Sequence, residues 1–193
     1  MQDVYVILYK NFTALDAFGP IEALARIEDF QIRYVSLEGG IVTNHQSIRI
    51  ETEPMSVIED NGIILVPGGW GSRDEVNNTA FLNALGDAAT RSEFVLCVCT
   101  GSALVAKTGV LDGKRATTNK RAFDWVKSQR DEVQWERQAR WVHDGKFYTS
   151  AGVSAGIDMA LGFIRDQYGL DKAVEIYSGM EYHWNDDADH DSF

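Results

Sequence analysis

An α/β fold built on a mostly parallel sheet is the fold class that this 193-residue sequence predicts. Short runs rich in Val, Ile and Leu alternate along the chain with segments of helical length. Two of the runs, residues 4–9 and 62–66, are continuously apolar, which is typical of strands covered on both faces. Such strands, alternating with helices, favour a parallel sheet with helices on either side.

Strands are predicted at residues 4–9, 31–36, 62–66 and 94–98. Gly39 and Gly40, followed by alternating polar and apolar side chains at 47–51, indicate a small antiparallel excursion from the sheet. Residues 141–148 predict a hairpin whose Asp144-Gly145 pair suits a type I′ turn.

Helices are predicted at residues 13–27, 74–91, 101–108, 120–129, 155–168 and 171–183. In the second of these, five apolar residues recur at intervals of three and four and form one stripe that would cover the sheet. They are Phe81, Leu82, Leu85, Ala88 and Ala89. We predict one domain over residues 1–185 and a solvated, frayed acidic tail over 186–193, whose clustered carboxylates we do not interpret as a metal site.

The net charge and the hydropathy of the chain limit the kinds of partner that the protein can bind. Lys and Arg total 18 against 29 Asp and Glu, a net charge of −11 that repels nucleic acid and anionic membrane surfaces. No apolar run approaches the roughly eighteen residues of a membrane span, and no basic region precedes the first apolar run. We therefore expect a cytoplasmic protein that binds neither nucleic acid nor membrane.

The two cysteines, Cys97 and Cys99, are separated by one residue. On a strand this places them at about 6.5 Å with parallel side chains, a poor geometry for a disulfide. Two reduced thiols are consistent with the cytoplasm.

Cys99 is the strongest candidate for chemistry. An apolar, β-branched run ends at this cysteine, and the small residues Gly101, Ser102 and Ala103 then open a helical segment. A thiol at such a strand-to-helix turn projects from the backbone, and the N–H groups that open the helix favour a thiolate. The alternative is a buried structural cysteine on a core strand.

Three loops follow strand ends that a parallel sheet brings to one edge, where ligands bind. They hold Asp16, the Gly68-Gly69 pair, and Cys99 with Thr100. Topology thus predicts that one acid, one glycine-lined loop and one thiol meet.

Each of these residues has two interpretations. Asp16 either exchanges a proton with the thiol, with its pKa raised by burial and by the sulfur, or completes a Thr13-x-x-Asp16 capping box. Gly68 and Gly69 either permit a turn with positive φ, or expose an N–H that acts with the Thr100 N–H on a developing negative charge.

Trp70 and the histidines give weaker indications of the site than the residues above. Trp70 either lines the pocket or covers the edge of the core. The four histidines are His45, His143, His183 and His190. No motif places any of them beside Cys99, so a cysteine–histidine pair is not predicted.

Five motifs occur in a fixed order. They are Leu15-Asp16-x-x-Gly19-Pro20, Val66-Pro67-Gly68-Gly69, Cys99-Thr100-Gly101-Ser102, Ala116-Thr117-Thr118-Asn119 and the stretch 149–158. With them the chain resembles the DJ-1/PfpI superfamily, most closely its isonitrile hydratase branch. The resemblance implies a flavodoxin-like three-layer sandwich, usually a homodimer, with a nucleophile elbow facing a carboxylate from the first loop.

Two departures from that family bear on function. Peptidase-like members carry histidine directly after the cysteine, where this chain has Thr100. Many relatives carry histidine after the Ala-Thr-Thr stretch, where this chain has Asn119. Proteolysis and histidine-dependent glyoxalase chemistry are therefore disfavoured.

The function we predict is cofactor-free and metal-free hydration of an isonitrile to an N-substituted formamide through a covalent thioimidate. Cys99 is the nucleophile, Asp16 the acid and then the base, and Thr100 holds Asp16 or water. The expected pocket residues are Gly68, Gly69, Trp70, Gly101 and Asn119. A small neutral substrate suits a chain without an evident cationic anchor. The alternatives are a glyoxalase or deglycase-type enzyme and a cysteine-based sensor or redox-responsive protein.

Overall fold

The computed structural model describes residues 1–193 and contains ten strands. They are β1 (Gln2–Ile7), β2 (Phe30–Ser36), β3 (Glu38–Thr43), β4 (Arg49–Pro54), β5 (Ile63–Val66), β6 (Phe94–Val98), β7 (Arg115–Ala116), β8 (Gln134–Trp135), β9 (Trp141–Asp144) and β10 (Phe147–Ser150). Eight of them form one sheet in the order β3-β4-β2-β1-β5-β6-β10-β9, and β7 pairs with β8 separately.

The sheet is parallel except at its two edges. The six inner strands run parallel to their neighbours, whereas β3 pairs antiparallel with β4 and β9 pairs antiparallel with β10. All four residues of β5 are fully buried, as its continuous apolar sequence predicted. The predicted α/β class and the antiparallel excursion are therefore confirmed.

Seven α-helices cover the sheet. They are α1 (Ala14–Leu24), α2 (Ser72–Glu75), α3 (Thr79–Arg91), α4 (Gly101–Lys107), α5 (Phe123–Lys127), α6 (Ala155–Tyr168) and α7 (Leu170–Gly179). Helices α1, α6 and α7 pack together as one layer, and α2, α3, α4 and α5 pack as the other, which makes the predicted three-layer sandwich. None of the helices is long and apolar enough to cross a membrane.

Several predicted boundaries differ from the structure. The helix predicted over 74–91 is two helices, because the Asn78 side chain accepts a hydrogen bond from the Phe81 N–H (3.2 Å) and starts α3 anew. Leu82 of the predicted stripe is only partly buried. The segment 120–129 shortens to a 3₁₀ turn followed by α5, and the last helix ends at Gly179.

The β9–β10 hairpin has a different turn from the one predicted. Asp144 pairs with Phe147, so the two turn residues are Gly145 and Lys146. Of these only Gly145 has a positive φ, at 64°. A type I′ turn needs two positive φ angles, so the I′ prediction is wrong, and a glycine at the first turn position is the type II′ pattern.

The carboxyl-terminal tail is bound to the body of the protein, and the prediction of a frayed tail is wrong. Arg140 is buried, and its Nη1 donates to Asp191 in the tail (2.9 Å) while its Nε and Nη2 donate to Asp158 (2.8 and 2.6 Å). The Asp191 N–H also donates to the Gln138 carbonyl (2.7 Å). A buried guanidinium needs carboxylate partners, and the tail supplies one of them.

Asp158→Asn should lower the free energy of unfolding by about 3–5 kcal/mol, because removing one partner leaves the charge of Arg140 buried and undercompensated. Urea denaturation followed by tryptophan fluorescence measures the change. Asp187→Asn, at an exposed acid of the tail, is the matched control and should leave stability unchanged. Equal losses in the two variants would contradict a specific role for the buried pair.

Candidate active site

Cys99 lies in the turn between the end of β6 at Val98 and the start of α4 at Gly101. Its φ of 56° is in the left-handed region that side-chain-bearing residues rarely adopt. The Cys99 N–H faces the carbonyls of Ser150 and Ala151 (3.2 Å each) at the end of β10. These contacts hold the strained turn that the sequence predicted.

Two hydroxyl groups hold the Cys99 carbonyl on its other side. Ser102 and Thr118 each donate to this oxygen at 2.8 Å. With both its N–H and its carbonyl fixed, the Cys99 backbone cannot relax out of the left-handed conformation without losing buried hydrogen bonds.

Gly101 supports the turn from behind and does not line the pocket, contrary to the prediction. A Cβ at this position would lie 2.2 Å from the Val66 carbonyl oxygen and 2.9 Å from that of Pro67. Only glycine allows the start of α4 to approach the end of β5 this closely.

Asp16 lies in the first turn of α1 and is completely buried. Its Oδ2 accepts a hydrogen bond from the Gly68 N–H (3.0 Å), and its Oδ1 has no hydrogen-bond partner. The Thr13 side chain forms no capping hydrogen bond, so the capping-box alternative is wrong. One carboxyl oxygen is thus anchored and the other is free.

Burial raises the pKa of Asp16 from 3.8 to about 7, and the Gly68 N–H and the Cys99 thiol oppose this rise. The sequence prediction that burial raises this pKa holds. The prediction that the sulfur also raises it is wrong, because a neutral thiol interacts favourably with a carboxylate.

Burial, and after it the neighbouring Asp16 charge, raise the pKa of the Cys99 thiol to about 12, although the Thr100 and Val153 N–H groups act to lower it. The thiolate predicted from the helix N–H groups is therefore not the resting form. Desolvation and the adjacent carboxylate outweigh two N–H dipoles. At neutral pH the sulfur carries the proton and faces a partly ionised Asp16.

The glycine loop contacts Asp16 and Thr100 rather than a reacting atom. The Gly69 N–H donates to Thr100 Oγ1 (3.0 Å), so neither it nor the Gly68 N–H is free to bind a developing negative charge. Ser72 Oγ lies 3.0 Å from the same Thr100 oxygen, and no hydrogen bond joins Thr100 to Asp16. The predicted oxyanion role of Gly68 and Gly69 and the predicted Thr100–Asp16 contact are wrong.

A cavity of about 340 Å³ opens over Cys99, which is 7% exposed. Its lining residues are Thr13, Gly69, Trp70, Arg73, Cys99, Thr100, Asn119, Arg121, Ala122 and Val153. Trp70 therefore lines the pocket, whereas Asp16 is buried and does not line it. The volume suits a small molecule.

The cavity contains two cations that sequence reasoning missed. Arg73 and Arg121 are its charged lining residues, so the expectation of a site without a cationic anchor is wrong. Arg73 follows Trp70 by three residues and Arg121 follows Asn119 by two, and this proximity to predicted pocket residues was the available signal.

The remaining polar groups of the site are sparse. Asn119 Oδ1 is buried without a hydrogen-bond partner. None of the histidines lines the cavity. The acidic group that interacts with the Cys99 thiol is Asp16.

Comparisons with known proteins agree with this geometry. The model of the DJ-1/PfpI family matches residues 2–166. Isonitrile hydratase from Pseudomonas putida is 31% identical over an alignment of 184 residues that covers 91% of this chain and 76% of that protein. The HTH-type transcriptional regulator CdhR from Pseudomonas aeruginosa is 24% identical and is matched over 91% of this chain and 53% of its own length.

Among solved structures, a ThiJ/PfpI family protein from Pseudomonas syringae superposes with a TM-score of 0.87. The superposition covers 95% of this chain and 76% of that chain at 24% identity. At 24% identity this structural similarity is evidence for the fold alone.

Stability should fall with rising pH because of Asp16. Its folded-state pKa of about 7 exceeds the unfolded value of 3.8, so the folded state holds a proton that the unfolded state releases. The free energy of unfolding should fall by about 2–3 kcal/mol between about pH 5 and pH 8 from this group. Denaturant titrations should show the fall in the wild type and not in Asp16→Asn, and parallel pH profiles would contradict the raised pKa.

Alkylation of Cys99 by iodoacetamide should be slow at neutral pH and keep rising above about pH 9, because the pKa of the thiol is raised. Asp16→Asn should accelerate it by removing the carboxylate that opposes ionisation. Peptide mapping by mass spectrometry gives the rate, with Cys97→Ala as the control because Cys97 is fully buried. A rate plateau below about pH 8 would reveal a resting thiolate instead.

Proposed function

Because the chain belongs to the DJ-1/PfpI family, we propose that it is a cysteine-dependent hydratase that converts an isonitrile, R–NC, into the formamide R–NH–CHO. The observation that carries this proposal is the Cys99–Asp16 pair beneath the cavity, with one free carboxyl oxygen. Similarity to isonitrile hydratase over 91% of the chain supports the substrate class.

The first step adds the thiol to the terminal carbon of the isonitrile. The Asp16 carboxylate takes the proton from Cys99 as the sulfur lone pair forms the C–S bond. The carbon lone pair then takes that proton from Asp16. The product is the thioimidate R–N=CH–S–Cys99, and Asp16 is again a carboxylate. A pKa of about 7 suits a group that must accept and release a proton near neutral pH.

The second step hydrates the thioimidate. Asp16 takes a proton from water as the water oxygen attacks the carbon, and then gives this proton to the imine nitrogen, which yields R–NH–CH(OH)–S–Cys99. Asp16 next takes the hydroxyl proton as the C–S bond breaks and gives it to the departing sulfur, which releases the formamide and restores the Cys99 thiol. One water molecule is consumed, and the enzyme returns to its starting protonation state.

Backbone groups and Asn119 assist these steps. The Thr100 and Val153 N–H groups interact with the Cys99 sulfur and stabilise its negative charge as the C–S bond forms and breaks. Asn119 Oδ1 lacks a partner and accepts a hydrogen bond from the attacking water or from the formamide N–H.

A cysteine-based sensor is the second candidate, since the regulator CdhR is a relative. Reversible oxidation proceeds through a thiolate, and the raised pKa of Cys99 disfavours it. The cavity contains no histidine, which disfavours the histidine-dependent glyoxalase or deglycase alternative.

Phenyl isonitrile should be turned over to N-phenylformamide, measured by ultraviolet absorbance and chromatography. Cys99→Ala should abolish turnover because the nucleophile is lost, and Asp16→Asn should lower it about 10²–10⁴-fold because the proton carrier is lost. In the wild type kcat/KM should rise with pH through about 7, as the Asp16 carboxylate forms.

Cys97→Ala serves as the matched control for the thiol substitution and should retain turnover. Wild-type protein without turnover, or Cys99→Ala with unchanged turnover, would remove the proposal. Peroxide-dependent sulfenic acid at Cys99 in the absence of turnover would favour the sensor.

A further inference from the structure

Most arginines of this acidic chain are paired with a carboxylate. Eight of them lie within 4.0 Å of an Asp or Glu oxygen. The other three are Arg49, Arg73 and Arg121. Two of these three unpaired guanidinium groups line the cavity over Cys99.

Arg73 is held in place by aromatic stacking. Its Cζ lies 4.6 Å from the centre of the Trp70 ring and 4.4 Å from that of Trp125. Its Nη1 has only long contacts, with Gly69 O (3.5 Å) and Ser72 Oγ (3.4 Å). The planar group is positioned at little further entropic cost while most of its N–H donors are unused.

Arg121 also lines the cavity, two residues after Asn119, and its side chain is exposed and makes no hydrogen bond or ion pair within the protein. The cavity lining contains no carboxylate. The mouth of the site is therefore positive on a protein whose net charge is −11. Such a local reversal of charge attracts and orients an anion.

We propose that Arg73 and Arg121 bind an anionic group, a carboxylate in the first instance, on the substrate whose reactive carbon meets Cys99. This inference rests on the proposed function and refines its substrate class to an isonitrile that carries a carboxylate. Guanidinium groups bind carboxylates through paired, charge-assisted hydrogen bonds, which fix the direction in which the rest of the molecule points. Arg73 and Arg121 are thus specificity-determining residues.

The test compares 4-isocyanobenzoate with its methyl ester, which presents the same ring and reactive group without the charge. Wild-type kcat/KM should favour the acid by about tenfold or more. The ratio of kcat/KM for the acid to kcat/KM for the ester should fall to about one in Arg73→Gln and Arg121→Gln. It should be partly restored in Arg73→Lys and Arg121→Lys. Arg49→Gln, at an unpaired arginine on β4 outside the cavity, is the matched control and should keep the preference.

A binding measurement separates this inference from the hydratase proposal. Calorimetry with Cys99→Ala should show tighter binding of 4-formamidobenzoate than of its methyl ester, with the same dependence on Arg73 and Arg121. Arginine-dependent binding of the acid without turnover of any isonitrile would contradict the hydratase proposal and support the anion site. Equal turnover and equal binding of acid and ester would contradict the anion site and support the hydratase proposal.

Discussion

Burial of the Cys99 thiol against the Asp16 carboxyl is the interaction on which the properties of this site depend. Burial raises the pKa of both groups. The Asp16 charge further opposes ionisation of the thiol, whereas the neutral thiol favours ionisation of Asp16. Above about pH 7 the pair therefore holds one proton, which is on the sulfur, and an electrophile that enters the cavity meets a thiol paired with a carboxylate. The site needs no histidine to move that proton.

The close approach of three loops produces this burial, and glycines make the approach possible. A Cβ on Gly68 would lie 2.6 Å from the Thr100 nitrogen and 2.8 Å from Asp16 Oδ2. A Cβ on Gly69 would lie 2.5 Å from the Asn11 carbonyl oxygen. These glycines bring the end of β5 against both the acid and the thiol. Their N–H groups hold the acid and the Thr100 hydroxyl, which makes them structural supports of the site.

The sequence was sufficient to predict the sheet, the elbow and the proximity of Asp16 to Cys99. Hydrophobic periodicity indicates where strands and helices lie, and in a parallel sheet the loops after the strands meet at one edge. The sequence was insufficient to predict the protonation states of Cys99 and Asp16, because their pKa values depend on how completely the folded protein excludes water. Arg73 and Arg121 were missed because they lie in single helical turns, too short for a periodic pattern to show which way their side chains point. The ion pair of Asp191 was also missed, because its partner Arg140 is 51 residues away.

The bound tail connects the end of the chain to the cavity over Cys99. Asp191 lies 3.8 Å from Lys120, which stands between the lining residues Asn119 and Arg121 and donates to the Ala139 carbonyl (2.6 Å). Phe193 borders a neighbouring hollow that includes Asn119 and Val153. A group attached after Phe193 would therefore lie beside the cavity over Cys99, whereas Met1 precedes β1 at the opposite end of the parallel strands from Cys99.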